Sequence, residues 1–324
     1  MKRFIKFCLI AALILIVVGI VIGTAGSVAG GGYDVIRMIR NGELSINGDF
    51  FHRHFFDDDY DLKVSEEEPV DETLFDIDDI DIFEEGKEVL SGDIAKTRLE
   101  DTSVKKLDIT LGGGELIFKE SEDGAFYLEA SKAEKLQFYV EDDTLKLKAV
   151  RTKASYKNNN MKVYFYLPKD IFYEEIEIEL GAGAIKLEGL SDVGKLDVDI
   201  GAGALTLSEI ECEELDAGVG AGELILHETV IRGDTELEVN AGHIGGDAQI
   251  HGDLDVKCSM GAAELTLAGR EEDFNYRVQC AAGEVRFGNQ AFTAVAADRE
   301  IDNGAAKQMD LDCSLGGIII SFEE

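Results

Sequence analysis

From Leu107 to Leu315 the chain repeats one phrase, in which alternating aliphatic and acidic residues run into a Gly-Ala-Gly-type turn. Copies end at Gly183, Gly203, Gly222, Gly242, Ala263 and Gly283, at intervals of 20, 19, 20, 21 and 20 residues. A near-constant period of this length defines a stacked repeat, because one unit cannot cover its apolar face until a neighbour packs on it. Within each copy the apolar residues recur at every second position, which is the period of a half-buried strand. Ile176, Ile178 and Leu180 therefore face inward and Glu177 and Glu179 outward. The glycines turn the chain, and Ala184 to Leu187 form a second strand. The fold class expected is all-β, a parallel β-helix (β-solenoid) with ~20-residue coils, preceded by one N-terminal transmembrane helix. Glycine at the turn is expected to supply positive φ, and Asn240, in the slot of Gly181, is expected to do the same.

Aligning the copies places Asp108, Glu177, Asp197, Asp216 and Glu236 at one outward position, followed by Lys257, Arg277 and Asp312. With coils about 4.8 Å apart, Glu177, Asp197, Asp216 and Glu236 form an acidic ladder in which neighbours repel by about 1 kcal/mol even in water. The ladder is the candidate cation site and points to divalent cations or a basic partner. Solvated charge that keeps strand edges from pairing explains the same residues. Glu236 against Lys257 is expected to be a favourable pair.

The whole chain of 324 residues carries a formal net charge of -35. Such a balance is opposed to binding a nucleic-acid backbone, which needs clustered Lys and Arg. Lys2, Arg3 and Lys6 precede an apolar run from Phe7 to Ile22, lengthened by Gly23 to Ala25. Residues 7–25 read as a membrane anchor with a cytoplasmic N-terminus, although Ser27, Val28 and Ala29 also offer a small-residue cleavage site. The expected organisation is a leader and membrane segment over 1–32, an acidic juxtamembrane spacer over 33–99 and the repeat domain over 100–324. The last part is then extracellular, facing a surface protein or glycan of the envelope.

No catalytic motif stands out. The Gly-x-Gly pairs precede strands rather than helices, so they are coil corners and not nucleotide loops. No cofactor is expected. The five histidines are His52, His54, His227, His243 and His251, without carboxylates or cysteines at ligand spacing. A carbohydrate-active β-helix enzyme, the alternative reading, would need outward carboxylates on adjacent coils, and Glu264 with Glu284 is the nearest candidate pair. Cys258, Cys280 and Cys313 fall on inward positions equivalent to Ile178, Leu180 and Ile178, as small buried hydrophobes. Cys212 lies on an acidic stretch where exposure is possible. The run from Ile318 to Glu324 lacks an evident cap, which leaves self-assembly through an open edge as a third reading.

The stretch from Leu167 and Pro168 to Gly183, followed by recurring Gly-Ala-Gly strands, resembles a bacterial family of unknown function described as "putative adhesins" with β-strand repeats. The resemblance covers about Val104 to the C-terminus. It implies a parallel β-helix and a place at the cell envelope behind a membrane anchor of Gram-positive type. The reading adopted is a non-catalytic cell-surface module for adhesion, scaffolding or envelope sensing.

Overall fold

A computed structural model describes residues 83–99, 104–150, 161–168, 171–293 and 297–323. All of them lie in one compact unit, Pro69–Glu324. The expected membrane segment and most of the spacer fall outside the described residues, among which no helix is long and apolar enough to cross a membrane. The described part is a single 18-stranded β-solenoid. Its strands are β1 (Leu90–Arg98), β2 (Lys106–Glu120), β3 (Tyr127–Glu141), β4 (Thr144–Val150), β5 (Lys162–Leu167), β6 (Tyr173–Ile200), β7 (Ala204–Val219), β8 (Glu223–Ile231) and β9 (Thr235–Val239). They continue as β10 (His243–Ile250), β11 (Leu254–Cys258), β12 (Ala262–Ala268), β13 (Phe274–Cys280), β14 (Glu284–Phe287), β15 (Gln290–Thr293), β16 (Ala297–Ile301), β17 (Lys307–Cys313) and β18 (Gly317–Glu323). β1 lies inside the stretch expected as spacer and pairs with β3, so the folded unit begins before residue 100.

Each coil has two strands about a glycine corner, then a second bend. The alternation holds: Ile176, Ile178, Leu180, Leu196, Val198 and Ile200 are all at most 3% exposed. Burying one such side chain is worth about 1.5–3 kcal/mol, and parallel pairing superposes these aliphatic rows coil on coil. At the second bend Gly189, Glu209 and Glu228 take φ of 71°, 53° and 49°.

The register differs from the sequence alignment by two residues at the fifth copy. Leu237 pairs with Val256 and Val239 with Cys258, so Gly242 is followed by Gly261 rather than Ala263. A slip of two preserves which side chains point inward, and this is why alternation alone does not detect it.

The corner glycines also work differently from expectation. Gly181, Gly183, Gly201, Gly203, Gly220, Gly222, Gly242 and Gly261 do not have positive φ, and neither does Asn240. The third corner position is instead a point of backbone contact between coils. A Cβ on Gly183 would lie 2.5 Å from the Gly114 carbonyl oxygen, and the same collision recurs up the stack at Gly222, Gly242 and Gly261. At the first position a Cβ on Gly181 would keep 3.3 Å from Gly112, and that slot accepts Asn240, Ser259 and Ser314.

The coils do not stack in chain order at the C-terminal end. β17 pairs with β11 on one side and β13 on the other, and β18 lies between β12 and β14. The described part of the expected open edge, Ile318 to Glu323, is therefore an interior coil, with Ile318 and Ile320 at most 1% exposed. Beyond it β13 and β14 are covered by antiparallel β16 and β15. At the other end β2 lies between β4 with β5 and β6, and antiparallel β3 closes over β4 and β5. Aromatic residues seal both ends: Phe118, Phe126 and Phe138 surround Phe165, while Tyr276 stacks on Phe287 at 4.1 Å. No Phe or Tyr occurs from residue 174 to 273.

Gly183→Ala should lower stability by about 1–3 kcal/mol, because backbone on both sides must move. Gly181→Ala should cost less than about 1 kcal/mol, as its neighbour yields by tenths of an ångström. Equal shifts of the two denaturation midpoints would contradict the close-approach role. Removal of residues 307–324 should expose 254–287 to hydrogen exchange while 173–250 stays protected. Protection left intact over 254–287 would show that the inserted coil is dispensable.

Candidate functional site

The outward positions of the first strand build a continuous acidic column. Pairing runs from Asp108 to Glu177, then through Asp197, Asp216, Glu236, Asp255 and Asp310. The step from Glu177 to Asp197 follows from the bond that the Gly201 amide donates to Leu180. Seven carboxylates thus succeed one another. Lys146 precedes them and Arg277 follows. The four ladder residues Glu177, Asp197, Asp216 and Glu236 are brought together as the sequence anticipates. The register slip changes the rest: Asp255 stands where Lys257 is expected, and Asp310 where Asp312 is expected. Asp312 lies opposite Lys257 in the next column.

Two lysines cross the column. Lys195 Nζ lies 2.7 Å from Asp197 and 3.8 Å from Asp216. Lys257 Nζ reaches Glu236 at 2.6 Å and Asp255 at 3.3 Å. The expected Glu236–Lys257 pair is therefore present, as a diagonal contact. Beside the column a groove is lined by Lys195, Asp216, Asp234, Glu236, Asp253 and Asp255.

Partial burial and the crowding of like charge act in the same direction on these acids. The carboxyl of Glu177 is raised above the usual range, first by burial and then by Asp108, Glu179 and Asp197. Asp216 is raised by burial and by Asp197, against the pull of Lys195. Asp255 is raised by burial, with Lys257 opposing. Among the described residues no group of three or more His, Cys, Asp or Glu converges as a metal would require. The ladder is a line of charge at strand spacing.

The other candidates separate. Glu264 pairs with Gly245 and Ile319, whereas Glu284 pairs with Gly317, so the β18 layer stands between the two carboxylates. Glu284 instead pairs with Arg286 at 2.6 Å. His243 lies beside buried Glu223 at 3.3 Å, and His227 contacts Asp247 at 3.0 Å through Nδ1. His52 and His54 lie outside the described residues. Cys212 is fully buried between Val193 and Ile231, and its acidic flanks face away from it. Cys258, Cys280 and Cys313 all stand in the slot of Val239 and Leu180, not partly in that of Ile178. The signal for this was the glycine after each cysteine: Gly261, Gly316 and Gly283 each follow by three residues, as Gly183 follows Leu180.

Glu177→Gln should raise the unfolding free energy at pH 7 and low salt by roughly 0.3–0.5 kcal/mol, a value already reduced for solvent screening. The folded-state carboxyl binds its proton more readily than the unfolded one. The advantage of the variant is thus full above the folded-state pKa and shrinks as pH falls towards the unfolded value near 4.3. Equal stabilities at pH 7, or a gap that widens on acidification, would contradict the charge crowding.

No curated protein matches the chain. A solved structure of a "putative adhesin" from Bacteroides fragilis is 18% identical over 71% of this chain and 96% of that one, with a TM-score of 0.39. A "putative cell adhesion protein" from Clostridium sporogenes is 12% identical over 73% of this chain and 100% of that one, with a TM-score of 0.30. A "putative lipid binding protein" from Parabacteroides distasonis is 13% identical over 71% and 96%, with a TM-score of 0.33. Residues 104–245, which run from just before β2 into β10, match the family model described as Toastrack DUF4097.

Proposed function

We propose that the chain is a non-catalytic module of the cell surface, held by residues 7–25 and presenting the acidic ladder to an extended basic partner in the envelope, in adhesion, scaffolding or envelope sensing. The observation that carries this reading is the in-register run of seven carboxylates from Asp108 to Asp310. Such a run concentrates negative potential along one line and attracts oppositely charged chains at a rate that depends on salt. The anchor rests on the cationic leader and the apolar run of the sequence. An ion diffusing along the ladder would screen it in the same way, without a fixed site.

Binding of an oligolysine peptide to the full chain in detergent tests the proposal. Affinity should fall steeply with salt, and the triple substitution Asp197→Asn, Asp216→Asn and Glu236→Gln should weaken it by about tenfold, the effect of 1.4 kcal/mol. A triple variant that binds as tightly as the parent would remove the ladder from the function.

A further inference from the structure

The loop that leads into the inserted coil, between β16 and β17, carries an Asn-Gly pair, Asn303–Gly304. Both residues are exposed, yet their polar groups are engaged. The Asn275 side chain of β13 holds the loop. Its Oδ1 accepts from the amides of Asn303 at 2.9 Å and Ala305 at 3.1 Å, and its Nδ2 donates to the Ala305 carbonyl at 2.9 Å. Asn303 Nδ2 donates to the Phe274 carbonyl at 2.7 Å, and the Gly304 amide donates to Asp302 Oδ1 at 2.8 Å. Phe274 and Asn275 are also the residues that pair with Lys307 and Gln308 at the start of β17. The latch therefore closes where the last coil enters its slot. Gly304 has a φ of 68°, a conformation that favours glycine at this point of the loop.

A glycine after asparagine leaves its peptide nitrogen unobstructed towards the side-chain amide, since it has no Cβ. The two nitrogens that would react are the ones the loop now occupies: Gly304 N would attack and Asn303 Nδ2 would leave. We infer that Asn303 is a deamidation site that the latch on β13 holds closed, and that its conversion loosens the entry of the last coil irreversibly. When the latch opens, the Gly304 nitrogen gives its proton to hydroxide and bonds to Asn303 Cγ. The Cγ–Nδ2 bond breaks, and Nδ2 leaves with an added proton as ammonia. Water then opens the resulting cyclic imide at either carbonyl, giving aspartate or an isoaspartate whose main chain runs through Cγ. One water enters, one ammonia leaves, and no electrons are exchanged. Either product spoils the latch. Aspartate sets a carboxylate oxygen against the Phe274 carbonyl where an amide donated. Isoaspartate adds a methylene to the main chain between the two amides that share Asn275 Oδ1, so that both no longer reach it.

The test holds the full chain in detergent and mildly alkaline buffer, either folded or unfolded in guanidinium chloride, and follows residue 303 by peptide mass mapping. The folded parent should convert at least about tenfold more slowly than the unfolded chain, because the latch must open first. Asn275→Ala removes three of the hydrogen bonds and should recover most of that difference. A second variant needs no ageing: Asn303→Asp carries the charge of one product, and its amides over 307–310 should exchange with solvent about tenfold faster than those of the parent. No conversion at 303 in the unfolded chain, equal rates in the folded and unfolded parent, a folded Asn275→Ala that converts as slowly as the parent, or unchanged exchange over 307–310 in Asn303→Asp would each overturn the inference.

Discussion

The close approach of one coil's backbone to the next at the third glycine of each corner is the contact on which the rest of the structure depends. It fixes the distance between layers where the chain changes direction, and so it fixes the register of the strands on both sides. Ordinary strand pairing alone tolerates slips of two residues, since inward and outward faces are conserved under such a slip. A row of glycines without room for a methyl group does not tolerate them. The row from Gly114 through Gly183, Gly203, Gly222, Gly242, Gly261 and Gly316 to Gly283 runs unbroken through the stack and follows spatial rather than chain order.

Register imposed in this way superposes like on like. Leucine over leucine builds a core without aromatic rings, narrow enough for twenty residues to enclose. The same superposition sets carboxylate over carboxylate on the outer face, at a cost that Lys195 and Lys257 only partly offset. The acidic ladder is thus an electrostatic burden carried by a regular interior. At the ends regularity stops: the cross-section opens, Phe165 and Phe287 fill it, and antiparallel strands replace parallel ones. The outermost strands carry exposed charge, as at Asp298, Arg299 and Glu300 of β16, which discourages pairing with further chains.

Much of this was legible in the residues. Alternation from Ile176 to Leu180 defines a strand and its buried face, and the spacing of Gly-x-Gly defines the coil, because both follow from local chain geometry. Two things were not legible in that way. The fifth copy is out of step because Cys258 and Met260 are equally apolar: hydrophobicity places either one against Val239, and only the glycine contact chooses. The position of β17 and β18 was hidden because their alternation fits any slot in the stack. Neighbours in a solenoid are usually neighbours in sequence, and here the slot is chosen by contacts between segments that no local pattern connects. The ladder was read correctly in its four central members and misassigned beyond Glu236 for the first of these reasons.

The insertion of the last coil also governs the order of events when the chain is made. A solenoid that stacks in sequence order can grow layer by layer as it emerges, each new coil finding its surface already waiting. Here β13 and β14 emerge with no layer to rest on, and the face of β11 and β12 stays bare, until residues 307–323 have arrived. The terminal stretch is therefore a closing wedge. Completion of the stack waits on residues 307–323, and any chain interrupted before them is left with two apolar faces open to other molecules.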